Sequence, residues 1–214
     1  MSALLAPPHP GFFEVLATRR AYTTLLYLVF SMATGILAFT YAVTGLSLSL
    51  GLAILIIGLP FAVTFLAGTR LLAVAEVHLL KAMVGAEGAE APALLPEGEG
   101  WLARLKTLVS DRRTWTSLLY FLLLMPLGIA YFTVLVTSLS LGLGLLAVPV
   151  LRLLHLGGSF TGDLGGLAWV TAHPGLAAAL CGLVGLALVP LTFHLALLLG
   201  RFQVWLARHL LVHA

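Results

Sequence analysis

One stretch of this chain occurs twice. Residues 19–52 read RRAYTTLLYLVFSMATGILAFTYAVTGLSLSLGL, and residues 112–145 read RRTWTSLLYFLLLMPLGIAYFTVLVTSLSLGLGL. Aligned without a gap, roughly 19 of the 34 positions are identical, more than shared hydrophobicity gives. Internal self-similarity of this kind fixes the architecture before any local reading does. The matched positions include Arg19/Arg112, Arg20/Arg113, Tyr27/Tyr120, Gly35/Gly128, Thr40/Thr133, Thr44/Thr137 and Ser47/Ser140. The chain is therefore a duplicated unit.

What surrounds that unit follows from composition. Apolar residues make up 61% of the chain and charged residues 9%, with a mean hydropathy of +1.11. A soluble domain carries about 25% charged residues, so there is too little polar surface here to coat a water-soluble globule. The bilayer is the solvent. The net charge of +3 comes from basic residues flanking apolar runs, which does not suggest nucleic acid. Cys181 is the single cysteine, so no intrachain disulfide forms.

The first residues do not read as a secretory signal, because prolines interrupt the apolar part and the arginines come after it. Residues 11–20 are expected to form a short interfacial helix with Phe12, Phe13, Val15 and Leu16 toward lipid. Residues 101–113 precede the second copy in the same way, with Leu108 at the place of Val15. A plain linker helix is the alternative for each.

Tyr22 to Thr44 carries no charge over 23 residues, enough to cross a bilayer. Leu46 to Gly68 is a second uncharged run, so TGLSLS is expected to be the turn between them, and Pro60 to kink the second span. From Thr69 to Gly85 the helical pattern continues with Arg70, Glu76, His78 and Lys81 interspersed, as an amphipathic tail leaving the membrane. The acidic, glycine- and proline-containing stretch 86–100 reads as a flexible linker. Trp115 to Thr137 is the third span and Leu176 to Gly200 the fourth.

Between these last two lies extra sequence, 139–174. Residues 139–156 are long enough to cross alone, which would give five spans. Of the eleven Lys and Arg, ten lie before span one, between spans two and three, or after span four. Positive residues stay cytoplasmic, so four spans are expected, with 139–174 an extracytoplasmic, partly embedded insert. The end of the chain echoes the end of the first unit, Arg201 aligning with Arg70 and His209 with His78. The expected fold is all-α and integral to the membrane. Four transmembrane helices form two tandem two-helix repeats (residues 1–85 and 101–214) with interfacial amphipathic helices. A pseudo-twofold axis along the membrane normal would relate them.

The pattern Arg-x-[Trp/Tyr]-x-x-Leu-Leu-Tyr, then Gly, then Val-Thr-x-Leu-Ser-Leu, resembles the bacterial "Putative sensor" domain. A His173-Pro174-Gly175-Leu176 entry to the last span and an Arg201-to-Arg208 tail complete the likeness, over roughly residues 12–213. That domain is the membrane input module of some sensor histidine kinases and also occurs without a kinase. The resemblance implies a four-span module that senses at or in the membrane and passes a conformational change to a cytoplasmic partner. No phosphoacceptor or ATP-binding region follows Ala214, so the expected output is a separate chain such as a histidine kinase. The remaining expected partner is the lipid bilayer, and a homo-oligomer is compatible with the sequence. The expected location is the bacterial cytoplasmic (inner) membrane with both termini cytoplasmic.

No H-E-x-x-H, G-x-S-x-G, Walker loop or paired cysteine ligands occur, so neither an enzyme nor a cofactor is expected. The histidines lack the mutual spacing of a metal or haem site. His194 lies inside the fourth span, where an ionisable residue is a functional candidate; its structural reading is an imidazole bonded to Thr192, Thr64 or a backbone carbonyl. Arg152, His155, Asp163, Trp169 and His173 belong to the insert and form the candidate ligand site. The structural alternative there is an Arg152–Asp163 pair with Trp169 as an interfacial anchor. Gly35, Thr40, Thr44 and Ser47, with their counterparts Gly128, Thr133, Thr137 and Ser140, recur at helical spacing and read as helix-packing positions, or else as the lining of a polar path. Arg70, Glu76, His78, Arg201, Arg208 and His209 are the candidate relay residues of the two tails. Tyr27 and Tyr120, with Tyr22 and Trp115, are expected in the interfacial aromatic belt. A small pseudo-symmetric transporter or channel is the second functional reading; it requires a polar cavity at the midplane.

Overall fold

In lipid, a peptide segment must satisfy its own backbone hydrogen bonds, and an uncharged run does so as a helix. The computed structural model describes residues 11–54, 58–85, 101–154 and 173–212. Its helices are α1 (Arg19–Leu52), α2 (Gly58–Val84), α3 (Trp101–Ser110), α4 (Arg112–Leu153) and α5 (Pro174–Ala207). A 3-10 turn, Glu14–Ala17, precedes α1, and a π turn, Arg208–Val212, extends α5. Four of these helices (α1, α2, α4, and α5 with its extension) are long and apolar enough to cross a membrane. The fold is all-α and membrane-spanning.

α1 and α2 run antiparallel. Arg20 meets Val84, Tyr27 meets Glu76 and Tyr41 meets Phe65. α4 and α5 also run antiparallel, with Gly142 against Val189 and Pro149 against Gly182. The densest packing is where α1 crosses α4, and there the duplication becomes visible. A Cβ added to Gly35 would sit 2.8 Å from the Leu124 carbonyl oxygen; one added to Gly128 would sit 2.6 Å from that of Ser31. Gly35 corresponds to Gly128 and Ser31 to Leu124, so the two contacts are one contact made twice. Reciprocity of this form is what a twofold relation demands. Only glycine allows backbone to meet backbone so closely in lipid.

Several expected boundaries move. TGLSLS is not a turn, because α1 continues through it to Leu52. Pro60 falls in the first turn of α2, where its missing N–H breaks no helical bond, so it does not kink the span. The proposed insert begins inside α4, which runs unbroken through Leu139 to Leu153. At 42 residues α4 is about 63 Å long. The hydrocarbon core is about 30 Å thick, so α4 projects beyond it even at a tilt of about 40°. Apolar sequence alone could not separate a re-entrant piece from one long helix. Val15 does not face lipid either. It is fully buried against Ala21 and Phe193, and Leu108 at the corresponding place is buried too. The linker 86–100 and residues 155–172 lie outside the described residues.

Candidate functional site

The inward stripe of α2 is Val63, Leu66, Arg70, Ala73, Val77, Leu80 and Val84, each three or four residues from the last. Such spacing keeps one face on the core. Arg70 lies on this stripe and Glu76 beside it, so both ionisable groups point into protein rather than away from it. Glu76 is 5% exposed. A carboxylate withdrawn from water is costly unless it is hydrogen-bonded, and this one is.

Its partners are the two tyrosines that the duplication places at matching positions. Tyr27 of α1 donates its hydroxyl to Glu76 Oε1 at 2.5 Å, and Tyr120 of α4 donates to the same oxygen at 3.2 Å. Gln203 of α5 donates from Nε2 to the Tyr120 hydroxyl at 2.9 Å. Tyr131 of α4 in turn donates to Gln203 Oε1 at 3.1 Å. Five buried side chains from four helices thus form one connected network centred on a single carboxylate. A connected buried network of this kind favours one packing arrangement and makes any other one expensive.

Two further polar ties hold α2. Arg70 Nη2 lies 2.5 Å from Asp111 Oδ2 and donates to Thr114 Oγ1 at 3.3 Å. Asp111 is the N-cap of α4, its other oxygen accepting from the Arg113 amide at 3.0 Å. Arg70 therefore joins the interior of α2 to the start of α4. At the far end, Arg20 donates from Nε and Nη2 to the Val84 carbonyl, at 3.2 and 2.9 Å. That carbonyl belongs to the last turn of α2, which has no helical donor left for it. Gly85 follows with φ of +73°, a left-handed conformation suited to ending a helix.

The other candidate residues lie elsewhere. Thr40, Thr44, Ser47, Thr133, Thr137 and Ser140 are all exposed on the outside of the bundle. They neither pack the α1–α4 crossing nor line a path through it; of the recurring small residues read as packing positions, Gly35 and Gly128 make that crossing. Thr133 bonds to its own helix, at the Ile129 carbonyl. His194 is half-buried, its Nδ1 3.0 Å from the Pro190 carbonyl and its ring stacked on Phe12, away from Glu76. His209 does likewise, with Nδ1 2.9 Å from the Trp205 carbonyl and its ring against Trp205. His78, Arg201 and His209 are exposed and Arg208 is half-buried. Arg152 is exposed in the last turn of α4, and His173 is exposed as the N-cap of α5. His155, Asp163 and Trp169 lie outside the described residues. Among the described residues, no group of three or more His, Cys, Asp or Glu could hold a metal ion.

Tyr27 and Tyr120 are not belt residues. Both are buried, whereas Tyr22 and Trp115 are half exposed, as a belt requires. Hydropathy treats a tyrosine in an apolar run as an interfacial anchor, and only packing shows that its hydroxyl has a buried acceptor. Gln203, Tyr131 and Asp111 were not singled out by sequence. One signal was available for Gln203: it is the only carboxamide side chain in the whole chain.

No curated protein and no solved structure matches this chain. A family profile described as "Putative sensor" matches residues 27–211, a span that begins at Tyr27 and takes in Glu76, Tyr120, Tyr131 and Gln203. Since that span covers most of the 214 residues, the chain belongs to the Putative sensor family.

Proposed function

We propose that this protein is a membrane-embedded regulatory module that detects a ligand or a state of the bilayer and relays a helix rearrangement to a separate cytoplasmic partner. It does this without catalysis of its own. The basic ends of the helices, Arg19, Arg20, Arg112, Arg113, Arg201 and Arg208, lie on the cytoplasmic side of a bacterial inner membrane, as the bias of positive charge favours. The partner is a histidine kinase or a comparable regulator on another chain.

One observation carries this reading: a single buried carboxylate is shared by the paired tyrosines of the two copies and connects onward to Gln203. A relay needs two packings whose balance a stimulus shifts by binding one better than the other. Glu76 sits where such a shift is felt by α1, α2, α4 and α5 together. Any displacement of α2 relative to α4 breaks the Tyr120 and Arg70 contacts as a set, so intermediate positions are disfavoured. A transporter would instead need its midplane polar groups to face a cavity. Here the hydroxyls and the carboxamide are bonded to Glu76 or to one another, and the groove that Glu76 lines is walled mainly by apolar side chains.

Spin labels at exposed His78 and Arg201 test the relay. In nanodiscs, Tyr120→Phe and Glu76→Ala should broaden or shift the distance distribution between the two tails. Unchanged distances in both folded variants would remove the relay.

A further inference from the structure

Beside the network, a groove of about 300 Å³ opens between α1, α2 and α4. Its walls are Leu37, Leu72, Leu79, Phe121 and Leu124, and Glu76 is the one carboxyl group among its lining residues. The rim faces outward: Leu37 and Leu79 are exposed on the surface of the bundle. The other polar groups along it are engaged, Tyr41 donating to the Phe65 carbonyl at 2.8 Å and Thr34 to the Ser31 carbonyl at 3.3 Å. Glu76 differs. Both hydroxyls that reach it end on Oε1, and among the described residues no hydrogen bond ends on Oε2.

We infer that this groove is a binding site for a single-chain lipophilic amine, its ammonium on Glu76 Oε2 and its chain against the leucines. This rests on the sensing reading only for what binding does, not for binding itself. The head group follows from charge. An acceptor-only carboxylate that already takes two donors on one oxygen is completed by a cationic donor on the other, and an ammonium in an apolar groove has no cheaper partner. The chain follows from size. The groove stands at the lower end of the roughly 300–1,000 Å³ range of small-molecule sites, too small for the two acyl chains and head group of a bilayer lipid. Access is from the bilayer, where such an amine is already concentrated. Glu76 lies within two turns of the exposed His78 and Lys81, toward the polar end of α2, where an amine partitioned into lipid holds its head.

The probe is octylamine, titrated calorimetrically into the full chain in phosphatidylcholine nanodiscs, with empty discs giving the partition background. Octanol and octanoate serve as isosteres. Saturable 1:1 binding of the amine is expected. Glu76→Gln, which keeps an oxygen for both tyrosines, should weaken it roughly tenfold or more. Ala75→Leu is expected to weaken it as well, by filling the groove from an exposed position without touching the network. Octanoate should show partitioning only. Octanol binding as tightly as the amine, or amine binding that survives Glu76→Gln, would overturn the assignment in favour of a chain held by apolar contact alone. Retained binding in folded Ala75→Leu would place the amine elsewhere. The spin-label distances, measured with and without octylamine, answer separately: binding without a distance change keeps the site and removes the relay.

Discussion

The two halves of this protein share a frame and differ in what they hold inside it. α1 and α4 carry the same glycine and the same tyrosine at matching places, and both pairs end up at the centre. Their partner helices diverge. α2 turns Arg70 and Glu76 inward. In α5, aligned by its tail, the corresponding positions are the exposed Arg201 and the buried Ala207, and the polar contribution is Gln203 instead. Two copies of Glu76 would set two carboxylates near each other in a dry core, where like charges cannot both persist. Duplication therefore supplied the repeated scaffold, and divergence of the second helix in each half left a single carboxyl group between the two matched tyrosines.

The largest expected effect tests the shared frame. Gly35→Leu or Gly128→Leu drives a side chain into facing backbone and should destabilise the bundle by about 3 kcal/mol. Gly51→Leu and Gly144→Leu, an equally matched pair with no atom near the added Cβ, should not pass about 1 kcal/mol, the ordinary helix propensity difference. Steric trapping in bicelles measures both. Equal losses in the two pairs would mean that the crossing is not what joins the halves.

The next effect addresses the divergence. Tyr120→Phe removes one bond to Glu76 and leaves Gln203 Nε2 without its acceptor. It should cost about 2 kcal/mol, against about 1 kcal/mol for Tyr27→Phe, which removes a single bond. Matched losses at these matched positions would erase the asymmetry. Arg70→Ala should cost about 1–2 kcal/mol, less than a fully buried pair, because the Asp111 side chain keeps 31% exposure to solvent. Arg201→Ala, its counterpart, should stay within about 0.5 kcal/mol. The smallest effect belongs to the outward hydroxyls: Thr40→Val and Thr44→Val should each leave thermal unfolding within about 0.5 kcal/mol of the parent. A larger loss would return those residues to a packing role.

Much of this was readable from residues alone. The gapless repeat announced two related units, and four uncharged runs announced four membrane helices, because lipid leaves an apolar segment no other backbone solution. Boundaries were less legible. Leu139 to Leu153 could continue a helix or fold back, and hydropathy is the same either way. Pro60 signalled a kink only until the helix start was known to fall at Gly58.

Sequence by itself determined the class, the duplication and the identity of the residues that recur, since periodicity and self-similarity are properties of a single chain. Tertiary structure decided which polar residues matter. The repeated Thr and Ser face outward, while Glu76, read as a tail residue, sits at the centre with Tyr27, Tyr120 and Gln203 around it. The physical reason is that a hydrogen bond between helices depends on how those helices are rotated and crossed. Residues 27, 76, 120 and 203 stand far apart in the chain, and nothing in their spacing says that one carboxylate oxygen will gather two of them.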